Sequence, residues 1–463
     1  MSEDLPLNEV LVGDCREVLD ELPKESIDMV MFSPPYWGLR DYGEDAESVW
    51  GGDEDCEHEW EVKERKRKRH HRAGFGVRDE YKAGKDLKVD EETEVKSSFC
   101  RKCGAWRGQF GLEPDYRMYV EHLVEIGRKV KKVLKPSGSW YLNLGDTYST
   151  HASGSSKTSH NFQNPETADE HGIGTMKKPN TDVPEKCKLL IPHRVAIGLI
   201  DDGWICRNDI IWLKPNPMPS SVKDRLNTTT EKIFHFVKEK QYYYDLDAIR
   251  EPHKESTKKR NNYPHSGGGP FAVQRERKPG EFMNEKGKNP GDVIKQTTQP
   301  FPEAHFAVYP PDLCEKPIKS SCPKKVCVEC GKPYEREVER PSAPDDVFTN
   351  TSRTGNCKSM ASGEGSGQKL QEWREKHPPK FKGWEKTCDC DTDETKSGVV
   401  LDPMCGAGST LKKAEELGRN YIGIEINPEY ANMAKRRVAN SLNQKIPKKR
   451  EVSEDCKELE AFE

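Results

Sequence analysis

Hydrophobic residues along this chain gather in short runs, and their spacing alternates between that of a strand and that of a helix. A largely apolar run at 27–32, IDMVMF, predicts a buried strand, and apolar positions at helical spacing predict a helix over 116–134. Between 398 and 442 a strand, a glycine-rich turn, a helix, a second strand and a second helix follow one another. Strands that alternate with helices are typical of a parallel sheet, so the pattern predicts an α/β fold. Further predicted elements are helices at 15–22 and 191–204, strands at 205–214 and 231–238, and a turn at 135–138.

Long polar stretches interrupt this pattern. Residues 44–110 and 322–392 are highly charged, poor in aliphatic residues and rich in cysteine near their ends, so we expect two insertions. Residues 151–182 are expected to form a mobile loop, 353–380 to be disordered, and the charged tail from 444 to fray.

The whole chain has a net charge of −4 and a pI of about 6.4, so any site for a polyanion must be local. Two basic runs are candidates for DNA contact, KERKRKRHHR at 63–72 and KKRNNYPHSGGG at 258–269. Lysine and arginine bind phosphates by releasing counterions, whereas the alternative interpretation of each run is a solvated loop.

Targeting signals and disulfides are not expected. No stretch approaches the roughly 18 apolar residues of a membrane span, and the first residues lack a signal-peptide pattern. We therefore expect a cytoplasmic protein, in which 15 cysteines favour metal ligands or buried thiols.

Two sets of cysteine and histidine residues have the paired spacing of a closed tetrahedral zinc site. The polar segments between the pairs cannot easily build an apolar core, so a structural zinc ion is expected to organise each insertion. Cys322 and Cys357 are rival ligands for the second ion, and unrelated buried thiols are the alternative. The predicted ligands are Cys56, His58, Cys100 and Cys103 for the first ion, and Cys327, Cys330, Cys388 and Cys390 for the second.

The glycine-rich turn near the C-terminal end has the pattern of a nucleoside site. Gly406 and Gly408 permit a tight turn and close approach to a ligand, and Glu425 ends the next strand, where a carboxylate can accept hydrogen bonds from ribose hydroxyls. Neither a phosphate-loop lysine nor the dinucleotide spacing of glycines is present. An ordinary tight turn is the alternative interpretation.

A second motif, SPPY at 33–36, directly follows the apolar run at 27–32. Two consecutive prolines cannot continue a helix or a central strand, so they form a rigid corner at a strand end. Taken alone, this corner is equally well explained as a proline-rich turn.

Together, SPPY and DPMCGAGST at 402–410 resemble the amino-group DNA methyltransferases that use S-adenosylmethionine, in which the cofactor motif is Asp-Pro-Phe-x-Gly-Ser-Gly-Thr. Met404 and Ala407 depart from that motif, but each keeps the size of the residue it replaces. Because the catalytic motif precedes the cofactor motif, the order is that of the permuted beta group. The resemblance implies a Rossmann-like class I methyltransferase fold with a mostly parallel seven-stranded sheet, which the two insertions predicted to bind zinc would interrupt.

The resemblance also implies roles for single residues. The catalytic motif would be Ser33, Pro34, Pro35 and Tyr36, in which oxygen atoms accept the hydrogens of an exocyclic amine and the tyrosine ring stacks on a flipped base. Cys15 and Cys405 are expected to pack as small residues rather than act as nucleophiles. The residues implied at the cofactor are Asp14, Cys15, Asp402, Pro403, Cys405, Gly406, Gly408, Ser409, Thr410, Glu425 and Asn427.

A serine at position 33 favours cytosine N4 as the methyl acceptor, with adenine N6 as the alternative. An inactive zinc-containing DNA-binding protein on the same scaffold, and methylation of RNA or protein, also stay open. The implied partners are double-stranded DNA and a cognate restriction endonuclease. The protein would be a monomer or homodimer that associates with the nucleoid. Its source would be a prokaryote, an archaeon or a virus.

Further segments extend the resemblance along the chain. Residues 10–15 resemble the adenine-contacting segment, 140–148 and 210–252 the lining of the base pocket, and 305–318 the cover over the methionine end of the cofactor. The expected domain order is the catalytic-motif half at 1–50, a zinc insertion at 51–110, the base-pocket segments at 111–250, a target recognition region at 251–303, the cofactor cover at 304–321, a second zinc insertion at 322–392, the cofactor-binding half at 393–443, and the tail at 444–463.

Overall fold

The computed structural model describes residues 5–62, 98–149, 181–257, 286–299, 308–339, 373, 377 and 380–444. The strands are β1 (Glu9–Val12), β2 (Ile27–Phe32), β3 (Glu47–Trp50), β4 (Trp60–Val62), β5 (Ser98–Cys100), β6 (Trp106–Gln109), β7 (Leu134–Leu144), β8 (Ile205–Leu213), β9 (Thr230–Val237), β10 (Val293–Lys295), β11 (Val326–Cys327), β12 (Glu335–Glu339), β13 (Lys380–Glu385), β14 (Thr395–Lys396), β15 (Val399–Asp402) and β16 (Asn420–Glu425). The α-helices are α1 (Cys15–Glu21), α2 (Tyr116–Val133), α3 (Ile191–Asp201), α4 (Glu315–Ser321), α5 (Ser409–Glu416) and α6 (Pro428–Gln444).

The chain divides into two compact units. The first comprises Met1–Ser33, Arg128–Leu144 and Ile200–Glu463, and the second comprises Pro34–Gly127 and Gly145–Leu199. Each unit is built from segments that are separated in the sequence.

The first unit is organised around an eight-stranded sheet in the order β1-β16-β15-β2-β7-β9-β8-β10. Five neighbouring strands, from β1 to β7, are mutually parallel, and β9 is antiparallel to both of its neighbours. The predicted α/β fold with a mostly parallel sheet is confirmed. The sheet has one strand more than expected, because the short strand β10 adds to the outer edge of β8.

Strand β2 lies in the middle of this sheet, and all six of its side chains are buried. Met29 and Met31 of β2 and Val400 of β15 enter a core with the inner faces of α5 and α6. A strand that is covered on both faces is largely apolar in sequence, and five of the six residues of 27–32 are apolar, so the bounds of this strand were predicted correctly.

The predicted turn at 135–138 is wrong in its placement, because these residues lie inside β7. The pairing of β2 with β7 shifts between Ile27–Leu134 and Met29–Ser139, so residues 135–138 bulge out opposite Asp28. Lys135 Nζ donates to the Asp28 carboxylate at 2.7 Å and fixes this bulge.

The second unit contains a four-stranded antiparallel sheet in the order β3-β6-β5-β4. The ring of Phe110 stacks between Trp50 and Tyr119, which ties β3 to the start of α2. The basic run at 63–72 and nearly all of the expected loop at 151–182 lie outside the described residues.

Two small antiparallel sheets, β11–β14 and β12–β13, complete the first unit. The basic run at 258–269, most of 353–380 and the tail beyond 444 lie outside the described residues. Among the helices that are described, none combines the length and apolar character needed to cross a bilayer.

Candidate active site and metal clusters

The glycine-rich turn connects β15 to α5 at the carboxyl edge of the sheet. Gly406 and Gly408 have φ values of 50° and 72°, which favour glycine. A Cβ atom on Gly408 would lie 3.0 Å from the Cβ atom of Ala434, so α6 packs directly on the turn. Pro403, Cys405, Ser409 and Thr410 are buried in this turn and the start of α5.

Glu425 ends the neighbouring strand β16, and its carboxylate holds the turn. Gly406 N donates to Oε2 at 2.8 Å, and Asn427 N donates to Oε1 at 3.0 Å. Burial raises the pKa of this carboxyl above its usual value, although the backbone donors oppose the shift. The acidic residue predicted from the sequence therefore lies against the glycine loop, together with Asn427.

Asp14 follows the next strand, β1, whose Val12 is paired with Glu425. Its side chain caps α1 by accepting from Arg16 N at 2.8 Å and forms a 2.7 Å ion pair with the Arg16 guanidinium. Carboxylates therefore follow or end three neighbouring parallel strands, β1, β16 and β15. The thiol of Cys15 is buried beside Asp14.

Asp402 ends β15 and is buried completely, which raises its pKa to about 7. The Tyr309 hydroxyl lies 3.2 Å from Asp402 Oδ2 and also hydrogen-bonds to Thr410. The Ser409 hydroxyl donates to the Tyr309 carbonyl at 2.7 Å. The described part of the predicted cofactor cover, from 308 onward, thus contacts the glycine-rich turn directly.

Arg437 on α6 also contacts the glycine-rich turn, and no sequence motif predicted this contact. Its guanidinium donates to the Ala407 carbonyl at 2.9 Å and to Ser409 Oγ at 3.0 Å.

Burial raises the pKa of the Cys405 thiol well above its usual value. This agrees with the prediction that Cys405 packs as a small residue.

Ser33 follows β2, the strand beside β15. Met29 and Val30 pair with Val400 and Leu401, so Ser33 and the cofactor turn emerge at the same edge of the sheet. Thr410 Oγ1 donates to the Met31 carbonyl at 3.3 Å and joins α5 to this strand.

The rest of the proline corner belongs to the second unit and is firmly held there. The Tyr119 hydroxyl donates to the Pro35 carbonyl at 2.9 Å. A Cβ atom on Gly145 would lie 2.5 Å from the Tyr36 ring, so only glycine leaves room for that ring in its present position. Tyr36 is half-buried, and Pro34 is buried.

A buried carboxyl–imidazole pair, Glu113 and His122, lies next to the proline corner. Glu113 Oε2 accepts from Gly111 N at 3.0 Å, and Oε1 lies 3.1 Å from His122 Nδ1. The Glu113 carbonyl accepts from Trp37 Nε1 at 3.0 Å, next to the SPPY motif. Burial raises the pKa of the Glu113 carboxyl to about 8. No sequence motif marks this pair, because its two members lie nine residues apart on different elements.

The first predicted metal set comes together in the second unit. Its four ligand atoms lie within 4.8 Å of one another. The Cys56 and Cys100 sulfur atoms are 3.9 Å apart, close to the roughly 3.8 Å expected for two sulfurs on a tetrahedral zinc ion with bonds of about 2.3 Å. Cys103 Sγ lies 3.4 Å from His58 Nδ1.

The second set, in the first unit, meets the same 4.8 Å limit. Backbone donors at Cys330 and Glu329 help lower the pKa of the Cys327 thiol to about 7, which favours the thiolate that a metal needs. Cys322 is buried elsewhere in the core and is not a member of this cluster, and Cys357 lies outside the described residues.

Comparisons with known proteins identify relatives of this chain. The type II methyltransferase M.SmaI of Serratia marcescens is 27% identical over 431 residues, which cover 93% of this chain and 90% of that protein. M.Cfr9I of Citrobacter freundii is 27% identical over 443 residues, or 94% and 90% of the two chains. The structure of the PvuII DNA methyltransferase (cytosine-N4-specific) aligns over 94% of this chain and 90% of its own, with a TM-score of 0.42 and 15% identity. The profile of the N6/N4 DNA methylase family matches residues 27–328 and 391–436, most of the chain, and the protein therefore belongs to that family.

Proposed function

We propose that this chain transfers the methyl group of S-adenosylmethionine to N4 of cytosine at a specific site in duplex DNA. The observation that carries the proposal is the position of SPPY. Ser33 directly follows the fully buried strand β2, which pairs with the strand that leads into the glycine-rich turn.

The residues at the carboxyl edge of the sheet suit S-adenosylmethionine, which supplies an electrophilic methyl group on a sulfonium centre. Glu425 is buried and already accepts two backbone hydrogen bonds, so its carboxylate is oriented for ribose hydroxyls. Asp14 would reach the adenine, as the family resemblance implies. Asp402 and Tyr309 would border the methionine end.

An exocyclic amine on a base is a poor nucleophile, because its lone pair is conjugated with the ring. Ser33 Oγ and the Pro34 carbonyl would accept the two N–H groups and draw the lone pair out of that conjugation. Tyr36 would stack on the extruded base. The nitrogen so oriented would accept the methyl group by direct displacement, in which the new nitrogen–carbon bond replaces the sulfur–carbon bond and the surplus proton passes to water. No covalent enzyme intermediate is required.

The choice of cytosine rests on Ser33, since the methyltransferases that resemble this chain and carry SPPY act mostly on cytosine N4. The same acceptor geometry would serve adenine N6. An inactive scaffold would bind DNA without transferring methyl groups.

We further propose that each cysteine cluster holds one structural zinc ion. Both clusters provide four soft ligands and so leave no position for a catalytic water. In both, a knuckle turn follows the first cysteine of a Cys-x2-Cys pair, with Gly104 N donating to Cys100 O and Gly331 N donating to Cys327 O, each at 3.0 Å.

The test is methyl transfer by purified protein from labelled S-adenosylmethionine to unmethylated DNA, with the modified nucleosides separated by chromatography. We expect N4-methylcytosine, loss of nearly all activity in Ser33→Ala, and no competition from RNA. N6-methyladenine would overturn the base assignment. Absence of transfer by folded, metal-loaded protein would support the inactive scaffold instead.

A further inference from the structure

The loop at 214–229 joins β8 to β9 and exposes two apolar side chains. Leu226 is 91% exposed and Met218 is 61% exposed. Single exposed apolar residues are common on protein surfaces, so exposure alone assigns no role. The position and rigidity of this loop are what distinguish it.

The loop lies at the same edge of the sheet as the cofactor turn. Strand β8 is parallel to β7 and β2, because β9 reverses direction between β7 and β8. The end of β8 is therefore three strands from the end of β2, where Ser33 lies. At about 4.8 Å per strand, the two strands are roughly 14 Å apart across the sheet. Phe32 is level with Asp209 through Leu142 and Phe234, so β8 continues four residues farther and the loop projects beyond the end of β2.

Hydrogen bonds hold the loop in one conformation. At its base, Lys214 N donates to the Thr229 carbonyl at 2.9 Å. Asn216 exchanges two hydrogen bonds with the backbone of Thr298, at 3.0 and 3.1 Å. Asn227 Nδ2 closes the tip by donating to the Met218 carbonyl at 3.1 Å. The exposed leucine is thus presented by a braced loop.

The neighbours of Leu226 suit a polyanion. Lys223 and Arg225 precede it, and Asp224 is the one acidic residue among 214–229. The Arg225 guanidinium donates to the Leu226 carbonyl at 3.1 Å, so a cationic group lies against the backbone that carries the apolar tip. Proteins that distort DNA combine cationic side chains with apolar wedges in this way.

We propose that Leu226 inserts into the DNA base stack and fills the space that the target nucleotide leaves when it is extruded. The inference rests on the proposed function, because only an enzyme that modifies a base inside a duplex needs such a wedge. Extruding a base gives up its pairing and stacking, and an inserted leucine replaces part of the lost stacking.

The test compares Leu226→Ala and Leu226→Met with the wild-type protein on two duplexes. Both duplexes carry the site that the wild-type protein methylates, and in one of them the target base faces a mismatch that weakens its pairing. Phe381→Ala is the matched control, since Phe381 is 52% exposed on strand β13 of the β12–β13 sheet. Binding of S-adenosylmethionine is measured for every variant as a readout that is independent of DNA.

We expect Leu226→Ala to have a kcat/KM at least tenfold below that of wild type on the matched duplex. On the mismatched duplex, its kcat/KM should lie within about twofold of the wild-type value. Leu226→Met and Phe381→Ala should stay within about twofold on both, with unchanged cofactor affinity. A kcat/KM of Leu226→Ala equal to that of wild type on the matched duplex would overturn the proposal that Leu226 is a wedge. Equal loss on both duplexes would also overturn it and would place Leu226 in the base pocket. Failure of the wild-type protein to methylate any DNA would overturn the proposed function and the wedge with it.

Discussion

At the scale of single residues, Glu113 offers a test of how the proline corner at 33–36 is held. Because its pKa is raised to about 8, the side chain is protonated at neutral pH and can be replaced by the isosteric amide. We expect Glu113→Gln to keep activity within about twofold at pH 7. Glu113→Ala removes the partners of Gly111 N and His122 and should lower kcat at least tenfold, about 1.4 kcal/mol, with little change in the KM for DNA.

Steady-state kinetics of the two Glu113 variants would decide this point. A Gln variant as impaired as the Ala variant would show that the charged form supports the corner. Asp115→Asn, at an exposed carboxylate of the neighbouring turn, is the matched control.

Asp402 gives a prediction about pH. Burial raises its pKa from 3.8 to about 7, so between these values the folded protein holds a proton that the unfolded chain has released. The contribution of Asp402 to the free energy of unfolding is therefore full below pH 4 and is lost as the pH rises towards 7. We expect urea denaturation of the cofactor-free protein to show that the free energy of unfolding of Asp402→Asn, relative to that of wild type, rises from pH 4.5 to pH 7.5. A difference that does not change with pH would contradict this assignment.

Glu425 gives a prediction about the cofactor. Hydrogen bonds to a charged group contribute about 1.5–3 kcal/mol, so Glu425→Ala should weaken binding of S-adenosylmethionine by roughly 10–100-fold in calorimetric titration. Glu429→Gln, at an exposed position near the start of α6, should leave the affinity unchanged. Unaltered affinity in Glu425→Ala would mean that the carboxylate only braces the turn.

Glu425, Gly406 and Gly408 were predicted because a motif links residues close in sequence. Tyr309 contacts Thr410, 101 residues away, and belongs to the segment 305–318 that the resemblance assigned to the cofactor. Arg437 contacts Ser409 from 28 residues away, and no motif marked it. Contacts of this kind depend on how elements pack, and no local pattern encodes them.

At the scale of elements, the two cysteine clusters repeat one knuckle turn on separate sheets. In each, a glycine with positive φ follows the Cys-x2-Cys pair, Gly104 at 78° and Gly331 at 69°. The spacing of the ligands was enough to predict both clusters, because each pair is local and only the meeting of two pairs depends on the fold.

Loss of one ligand should therefore release one metal ion. We expect elemental analysis to find two zinc ions per chain in the wild-type protein and one in Cys330→Ser. Cys187→Ser should keep both, because Cys187 is an exposed thiol outside the clusters. Two ions retained by Cys330→Ser would contradict the assignment of the second cluster.

The strands show where prediction from sequence stops. The bounds of strand β2 were predicted correctly, since burial on both faces leaves a run in which only Asp28 is polar. The bulge at 135–138 reads as a turn locally and is part of β7 only because β2 pairs on either side of it. Strand β10 is three residues long, too short for its pattern to differ from a loop.

At the scale of the whole molecule, the arrangement of motifs was predicted better than the grouping of segments. The order of SPPY and the cofactor turn is a property of the sequence, and the family match bears it out. The second unit draws on Pro34–Gly127 and Gly145–Leu199, which the strand β7 separates in the chain. Such a grouping arises from long-range packing, which no window of sequence contains.

The central claim is that the whole protein methylates an exocyclic amine of a DNA base at one short site. The most direct measurement is to express the protein in a host without DNA methylation and sequence the genome by a method that separates N4-methylcytosine from N6-methyladenine. The account predicts N4-methylcytosine at one sequence motif, and none in cells that express Ser33→Ala. An unmodified genome in cells that contain the folded, zinc-loaded protein would contradict it.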